Sequence, residues 1–287
     1  MKNKKIEIGY IYSGKKEGRD EKFFLNIAKK KNVNLVMLNI CFNFNEEIIK
    51  DKFKNCDIIY CNTAEPFAIE FIKTLEKLGK RVIDSSNSHL YIQDKWLFYL
   101  ECKIRKIPTP KTILLSEGFN IVRKQLISFN IWPIVLKRLD GTMGEDVEKA
   151  DNCEESIEII KRFWGEHNER FPLIAQEFVD SPCYRVTLVN KEVVQTAMKT
   201  GNYWKKTGVY SKKVKKFKID SELKKLLRKI NEFVDIKICG VDFLKKEKKW
   251  LVLEVNSEPA FDFFENEQEK IISKVVDYLK KEALKTI

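Results

Sequence analysis

The stretch from Gly240 to Phe261, GVDFLKKEKKWLVLEVNSEPAF, constrains the fold of this chain more than any other. Two apolar runs flank KKEKK. Each run carries polar side chains where a buried strand has hydrocarbon: Asp242 in the first, Glu254 and Asn256 in the second. Strand side chains alternate, so Glu254 and Asn256 share one face and Val255 takes the other. A hairpin with strands over 240–244 and 250–256 and a register symmetric about Glu247 brings Asp242 to that same face, opposite or diagonal to Glu254. Two carboxylates buried side by side repel each other, and burying them unpaired costs several kcal/mol. A hard divalent cation resolves the conflict. Mg2+ takes oxygen ligands and commonly shares them with phosphates. The rival reading is a surface hairpin with chance polar positions, but Val241, Phe243, Leu251, Val252, Leu253 and Val255 read as core.

Composition narrows the remaining classes. With 287 residues, 44% of them hydrophobic, the chain can build a sizeable globular core. Its net charge of +12 fits a lysine-rich solvated surface, and secondly an anionic ligand or partner. Seven cysteines lack CxxC spacing and suit a reduced, cytoplasmic protein. Two histidines, His89 and His167, leave almost no room for a His-based zinc site or a Ser-His-Asp triad. The N-terminal apolar stretch is short and holds Glu7, unlike a signal peptide. No uncharged run is long enough to span a membrane. GYIYSGKK (9–16) imitates a P-loop, but Lys16 stands where Ser or Thr is required and Gly9 falls within a strand.

The first third alternates regularly. Strands are expected over 6–12, 35–40, 57–62 and 81–84, and helices over 21–31, 45–53 and 67–79, which implies a small parallel sheet covered by helices. A helix over about 90–105 follows SSNS and ends at IPTP (107–110). Between 110 and 132 no element stands out. Beyond lie a strand at 132–139, a glycine-bearing turn, a helix at 153–167, and strands at 173–179, 184–190 and 192–199. The last two are joined tightly at Asn190-Lys191. A helix at 221–234, the closing hairpin and a helix near 266–283 complete the chain. The class is mixed α/β, parallel first and antiparallel after.

Further motifs fall in order upstream of the hairpin. PIVLKRLDGTMGEDV places Lys137 at a strand end before a glycine-bearing loop, and small residues let backbone N–H groups approach phosphate oxygens. Asp94-Lys95 precedes IPTP, LIAQEFV spans 173–179, and CYRV spans 183–186. Together with the G-V-D-F and L-E-V-N-S-E-P-A-F ending, this order resembles the ATP-grasp superfamily, and within it the RimK-type carboxylate–amine ligases. The resemblance covers about residues 85–265. It implies an ATP-grasp fold preceded by a small parallel α/β, Rossmann-like N-terminal domain, divided at 1–88, 89–180 and 181–287.

The resemblance also implies roles for individual residues. Asp242, Glu254 and Asn256 would hold two Mg2+ ions, or Mn2+ in their place. Lys95 and Lys137 would reach the ATP phosphates, under a loop of Asp140, Gly141, Thr142, Met143 and Gly144. Gln176, Glu177, Phe178 and Val179 would form the adenine hinge, with Glu177 on the amino group. Cys183 stands where the family usually has a ribose-binding Asp, so either Asp180 substitutes or the ribose contact is weaker. Arg185 would stabilise the tetrahedral intermediate, with Lys199 and Lys205 as basic groups facing substrate. The implied reaction activates a carboxylate as an acyl phosphate, which an amine then attacks. A kinase on the same fold and a non-catalytic nucleotide-binding protein stay open as alternatives.

Substrates are then small-molecule or peptide carboxylates and amines. Their pockets are expected in the N-terminal layer, in residues 199–218 and in the stretch after Pro259. The basic SKKVKKFK (211–218) suits a solvated face or an acidic acceptor peptide or carrier, and nucleic acid is disfavoured for want of a binding module. Tyr203-Trp204 reads equally as core or as pocket lining. The family implies a homodimer or homotetramer.

Overall fold

The computed structural model describes residues 5–14, 17–41, 45–63, 66–140, 144, 146–201, 203–205 and 213–285. The sequence-expected loop residues Gly141, Thr142 and Met143 lie outside them, as do all of 206–212. The first sheet is parallel, in order β2-β1-β3-β4, from β1 (Ile6–Tyr12), β2 (Val33–Asn39), β3 (Ile58–Asn62) and β4 (Val82–Ile83). Helix α1 (Arg19–Lys30) covers one face, and α2 (Glu46–Lys52) and α3 (Pro66–Lys77) cover the other. Gly9 is a packing glycine in β1: a Cβ there would lie 2.9 Å from both Phe53 and Ile59.

The single helix expected over 90–105 is two. Helix α4 (Leu90–Gln93) ends at Asp94, whose extended backbone lets its carboxylate accept from the Trp96 and Leu97 amides at 2.9 Å, starting α5 (Lys95–Ile104). Lys95 therefore occupies the first position of a capped helix.

A second, antiparallel sheet follows, ordered β5-β8-β6-β7, from β5 (Thr112–Leu114), β6 (Ile134–Arg138), β7 (Val147–Ala150) and β8 (Leu173–Glu177). Helices α6 (Phe119–Phe129) and α7 (Cys153–Glu166) back it. The sequence reading had no element where α6 lies. Ile121 and Ile127 are exposed apolar residues on that helix, so its polar face does not read as polar.

The third sheet runs β11-β10-β9-β12-β13, from β9 (Cys183–Val189), β10 (Glu192–Thr200), β11 (Lys213–Lys215), β12 (Ile238–Lys246) and β13 (Lys249–Asn256). Its pairings are antiparallel. The closing hairpin turns on Glu247-Lys248 alone, so both strands run further into KKEKK than expected. Helix α8 (Ser221–Ile230) packs Leu223, Leu226, Leu227 and Ile230 against one face of this sheet. That spacing makes one apolar stripe, worth ~1.5–3 kcal/mol per buried side chain. Helix α9 (Glu265–Leu284) crosses back to the first sheet and buries Ile271, Ile272, Val275 and Val276 beside Ile8, Tyr10 and Phe24. No helix among the described residues is long and apolar enough to cross a membrane.

Candidate active site

The face of the third sheet opposite α8 carries the chemistry. Alternation along β9 buries Val186 and Leu188 under α8 and leaves Arg185 on the other face. Asp242 sits between Arg185 of β9 and Glu254 of β13, and Gly240 pairs with Asn256. Asp242 thus lies opposite Glu254 as expected, but through a bulge at Asp242-Phe243 and not through a register symmetric about Glu247. Arg185 grips Asp242 with a two-pronged ion pair, Nε to Oδ1 and Nη2 to Oδ2, both at 2.6 Å. Burial pushes the Asp242 carboxyl up, but the charge and hydrogen bonds of Arg185, backed by Lys199, outweigh this and hold it below the usual range. Burial disfavours the Arg185 guanidinium as well, and Asp242 reverses that. Gly240 permits the grip, since a Cβ there would lie 2.7 Å from the Arg185 Cδ. Sequence reasoning missed this role for Gly240, because it depends on a neighbouring strand.

Arg185, Lys199, Glu254 and Asn256 line a cavity of about 950 Å³, while Asp242 is fully buried behind them. Lys137 and Lys95 line the same cavity from β6 and α5. Lys137 Nζ donates to Gln176 Oε1 at 2.8 Å, and the Gln176 amide donates to Thr112 at 3.0 Å. Burial lowers the Lys137 pKa to about 8, with Glu254 resisting and Lys95 adding to the fall. Burial likewise lowers Lys95, again against Glu254, and its Nζ donates to the Leu139 carbonyl at 3.1 Å. The two lysines and Glu254 thus feel one another inside one space.

Glu177, Phe178 and Val179 also line the cavity. The Glu177 carboxylate takes Lys246 Nζ at 2.5 Å and the Lys111 amide at 3.3 Å. Trp204 lines the cavity and meets Phe178 edge-on at 6.3 Å, whereas Tyr203 is largely exposed. Lys205 Nζ donates to the carbonyls of Gly144 at 2.6 Å and Val147 at 3.2 Å, joining the segment after β10 to the end of the glycine-bearing loop. Asp180 is exposed and stands outside the lining. Cys183 does line it, and burial first, then Asp242, raises its thiol. Lys199 Nζ sits 4.7 Å from the Phe263 ring, and burial lowers its pKa while Asp242 works the other way.

The far end of the cavity is built by the N-terminal layer and the segment after Pro259. Asp20, Glu21, Asn62 and Thr63 come from the first, and Asp262 and Gln268 from the second. Those regions were expected to form substrate pockets, but the individual residues carry no local signature.

No group of three or more His, Cys, Asp or Glu side chains among the described residues is arranged to hold a metal ion. The donor set of the hairpin needs the Asn256 amide. Asn256 lines the cavity, its Nδ2 is buried without a hydrogen-bond partner, and its carbonyl Oδ1 is the atom of the amide that can ligate a cation. Glu254 adds carboxylate oxygens on the cavity wall, and Asp242 lies buried behind it with its oxygens engaged by Arg185 and the Cys183 thiol. All of these are oxygen donors, so the set fits a hard cation such as Mg2+.

Comparison with known proteins identifies the family and the fold. The RimK-like ATP-grasp domain matches residues 80–279. The chain is 28% identical over 225 residues to the coenzyme gamma-F420-2:alpha-L-glutamate ligase of Methanocaldococcus jannaschii, spanning 75% of this chain and 76% of that one. The solved RimK domain protein ATP-grasp from Sphaerobacter thermophilus superposes with a TM-score of 0.74 at 12% identity, over 96% of this chain and 99% of that one. The D-alanine–D-alanine ligase of Bacillus anthracis, solved with ATP, superposes with a TM-score of 0.74 at 15% identity, over 98% of each chain. Because the RimK-like domain matches more than half of it, this chain belongs to the RimK-like ATP-grasp family of carboxylate–amine ligases.

Proposed function

We propose that the chain is an ATP- and Mg2+-dependent ligase that joins a substrate carboxylate to an amine through an acyl phosphate. The observation that carries this reading is the meeting of Lys95 and Lys137 with Glu254 and Asn256 around one cavity. Glu254 and Asn256, with Asp242 behind them, would hold Mg2+, which when bound offsets negative charge on phosphate oxygens.

The chain's own groups divide the remaining work. Lys95 and Lys137 neutralise the triphosphate as the γ-phosphoryl group passes to the substrate carboxylate. Arg185 is committed to Asp242, so Lys199 is the better placed cation for the substrate carboxylate. Lys205 ties the loop end at Gly144 to the cavity wall, which helps keep water from the acyl phosphate. The amine then forms the C–N bond and phosphate leaves. No enzyme nucleophile is required. The substrates are small molecules or peptides, as the relatives' glutamate ligation suggests by analogy.

A screen of ADP release across amino acids and cell extract, with mass spectrometry of the products, tests the reading. Wild type should release ADP only when an acid and an amine are both supplied. Lys137→Ala and Glu254→Ala should lower the rate by about a hundredfold or more. Equal release by wild type and Glu254→Ala contradicts it, and a phosphorylated product formed without amine points to a kinase instead.

A further inference from the structure

The chain has two histidines. His167 pairs with Asp146 at 3.1 Å and stands outside the cavity lining. His89 lines the cavity and is 5% exposed, and neither the phosphate-facing lysines nor the hairpin holds it.

The local fold fixes this ring. On leaving β4 the chain passes through a 3-10 turn, Ser86–His89. The Ser85 hydroxyl caps that turn by accepting from the Ser88 amide at 3.3 Å. Glu76 of α3 anchors it, accepting from the Ser86 amide at 3.0 Å and the Ser86 hydroxyl at 2.5 Å. His89 Nδ1 lies 2.8 Å from the Ser85 carbonyl oxygen. A carbonyl can only accept, so Nδ1 carries the proton and Nε2 keeps its lone pair. Burial lowers the pKa of the ring, with the Ser85 carbonyl and the Glu76 charge resisting, so the imidazole is neutral at neutral pH.

Nε2 is the unused end of this ring. It has no hydrogen-bond partner among the described residues, and it is not one of the polar atoms sealed off inside the protein. Its lone pair is therefore offered to whatever fills the cavity. Phosphate and carboxylate oxygens bring lone pairs of their own and gain nothing there, whereas an N–H donor does. Of a ligase's substrates, the amine brings N–H groups to the reacting carbon, and the amine must shed protons to react. The placement suits that role. Strands β3 and β4 are parallel neighbours, so Asn62 and Thr63 at the end of one and His89 beyond the other rise from the same edge of the first sheet into the cavity. Helix α4, which begins directly after His89, packs against β13, the strand of Glu254 and Asn256.

We propose that His89 is the base that takes a proton from the amine substrate. The assignment rests on the ligase reading and adds a catalytic residue to it. The amine enters as an ammonium ion and passes one proton to Nε2. The freed lone pair attacks the acyl carbon, the C–N bond forms, and the bond from that carbon to the phosphate oxygen breaks. A second N–H proton leaves on the phosphate, and the imidazolium returns its proton to solvent.

Hydroxylamine tests this, because it is uncharged at neutral pH and attacks acyl phosphates without a base. The full chain receives Mg·ATP with amino acids or cell extract as the source of acid, and mass spectrometry reads hydroxamate made from hydroxylamine and amide made from amino-acid amines. His89→Gln and His89→Ala cannot accept the proton, so each should lower amide formation by about a hundredfold, leave hydroxamate formation within about threefold and leave Mg·ADP affinity within about twofold. In nitrogen-15 NMR of the wild type, His89 should be the neutral Nδ1–H tautomer at neutral pH. The assignment is overturned by an imidazolium or an Nε2–H tautomer there, by amide and hydroxamate falling together, by amide formation that matches wild type in either variant, or by a wild type that makes hydroxamate but couples no amine. A wild type that binds Mg·ADP and makes no hydroxamate with any acid overturns the ligase reading instead.

Discussion

Lys137 is wholly enclosed between a lysine and a glutamate, and its amine loses its proton at about pH 8. The phosphates of a nucleotide favour the charged form, so the free chain must take up a proton to bind nucleotide once the pH passes that value. Mg·ADP affinity should therefore fall as the pH rises from about 7 to about 9, with measurable proton uptake in calorimetry across buffers of different ionisation enthalpy. Lys137→Met should weaken binding at neutral pH and reduce the uptake. Affinity that is flat with pH, with no uptake, contradicts this role. Lys137 was legible from sequence because a lysine ending an apolar strand before a glycine-bearing loop is a local pattern. So were Glu254 and Asn256, through strand alternation. The Arg185–Asp242 grip was not, although both residues were singled out. Pairing between β9 and β12 joins residues 57 apart in sequence, and no local pattern reports which strands become neighbours.

Among the elements, the closing hairpin shows how far alternation reaches. It placed Asp242 opposite Glu254 but missed both the turn and the bulge at Asp242-Phe243 that shifts the register. Glu247 and Lys248 have φ of 47° and 70°, a two-residue turn that Asn-Gly suits far better. A double replacement, Glu247→Asn with Lys248→Gly, should raise unfolding stability by ~1 kcal/mol and leave nucleotide binding alone. Chemical denaturation checks this, and a loss of stability would mean that the turn residues make contacts the backbone argument ignores. Helix α6 escaped notice for a related reason. Exposed Ile121 and Ile127 blur the stripe that Val122 and Leu126 draw. The break at Asp94 was equally hidden, because residues on both sides of it favour helix.

On the scale of the whole molecule, the first sheet is fastened to the third through Asp84. This buried carboxylate accepts from the Lys237 amide at 2.8 Å and the Ile238 amide at 3.4 Å, at the start of β12. Burial raises its pKa to about 7, with those two amides acting in the opposite direction. An unfolded Asp titrates near ~3.9. Between those values the folded chain binds the extra proton, so the group's contribution is present at acid pH and is lost as the pH rises through about 7. Relative to Asp84→Asn, wild type should gain up to a few kcal/mol as the pH falls from about 8 to about 5, read from paired denaturation curves. Parallel curves would show that Asp84 does not titrate there. The return of α9 to the first sheet, and with it the far end of the cavity, was beyond sequence reasoning. It rests on packing between helix and sheet at opposite ends of the chain.

The central claim is that nucleotide and Mg2+ meet between β6 and the closing hairpin. A crystal structure with Mg2+ and a non-hydrolysable ATP analogue tests it most directly. The account predicts phosphate oxygens against the ammonium groups of Lys95 and Lys137, with metal on Glu254 and Asn256. Phosphates bound elsewhere, or a metal that bypasses both of those side chains, would contradict it.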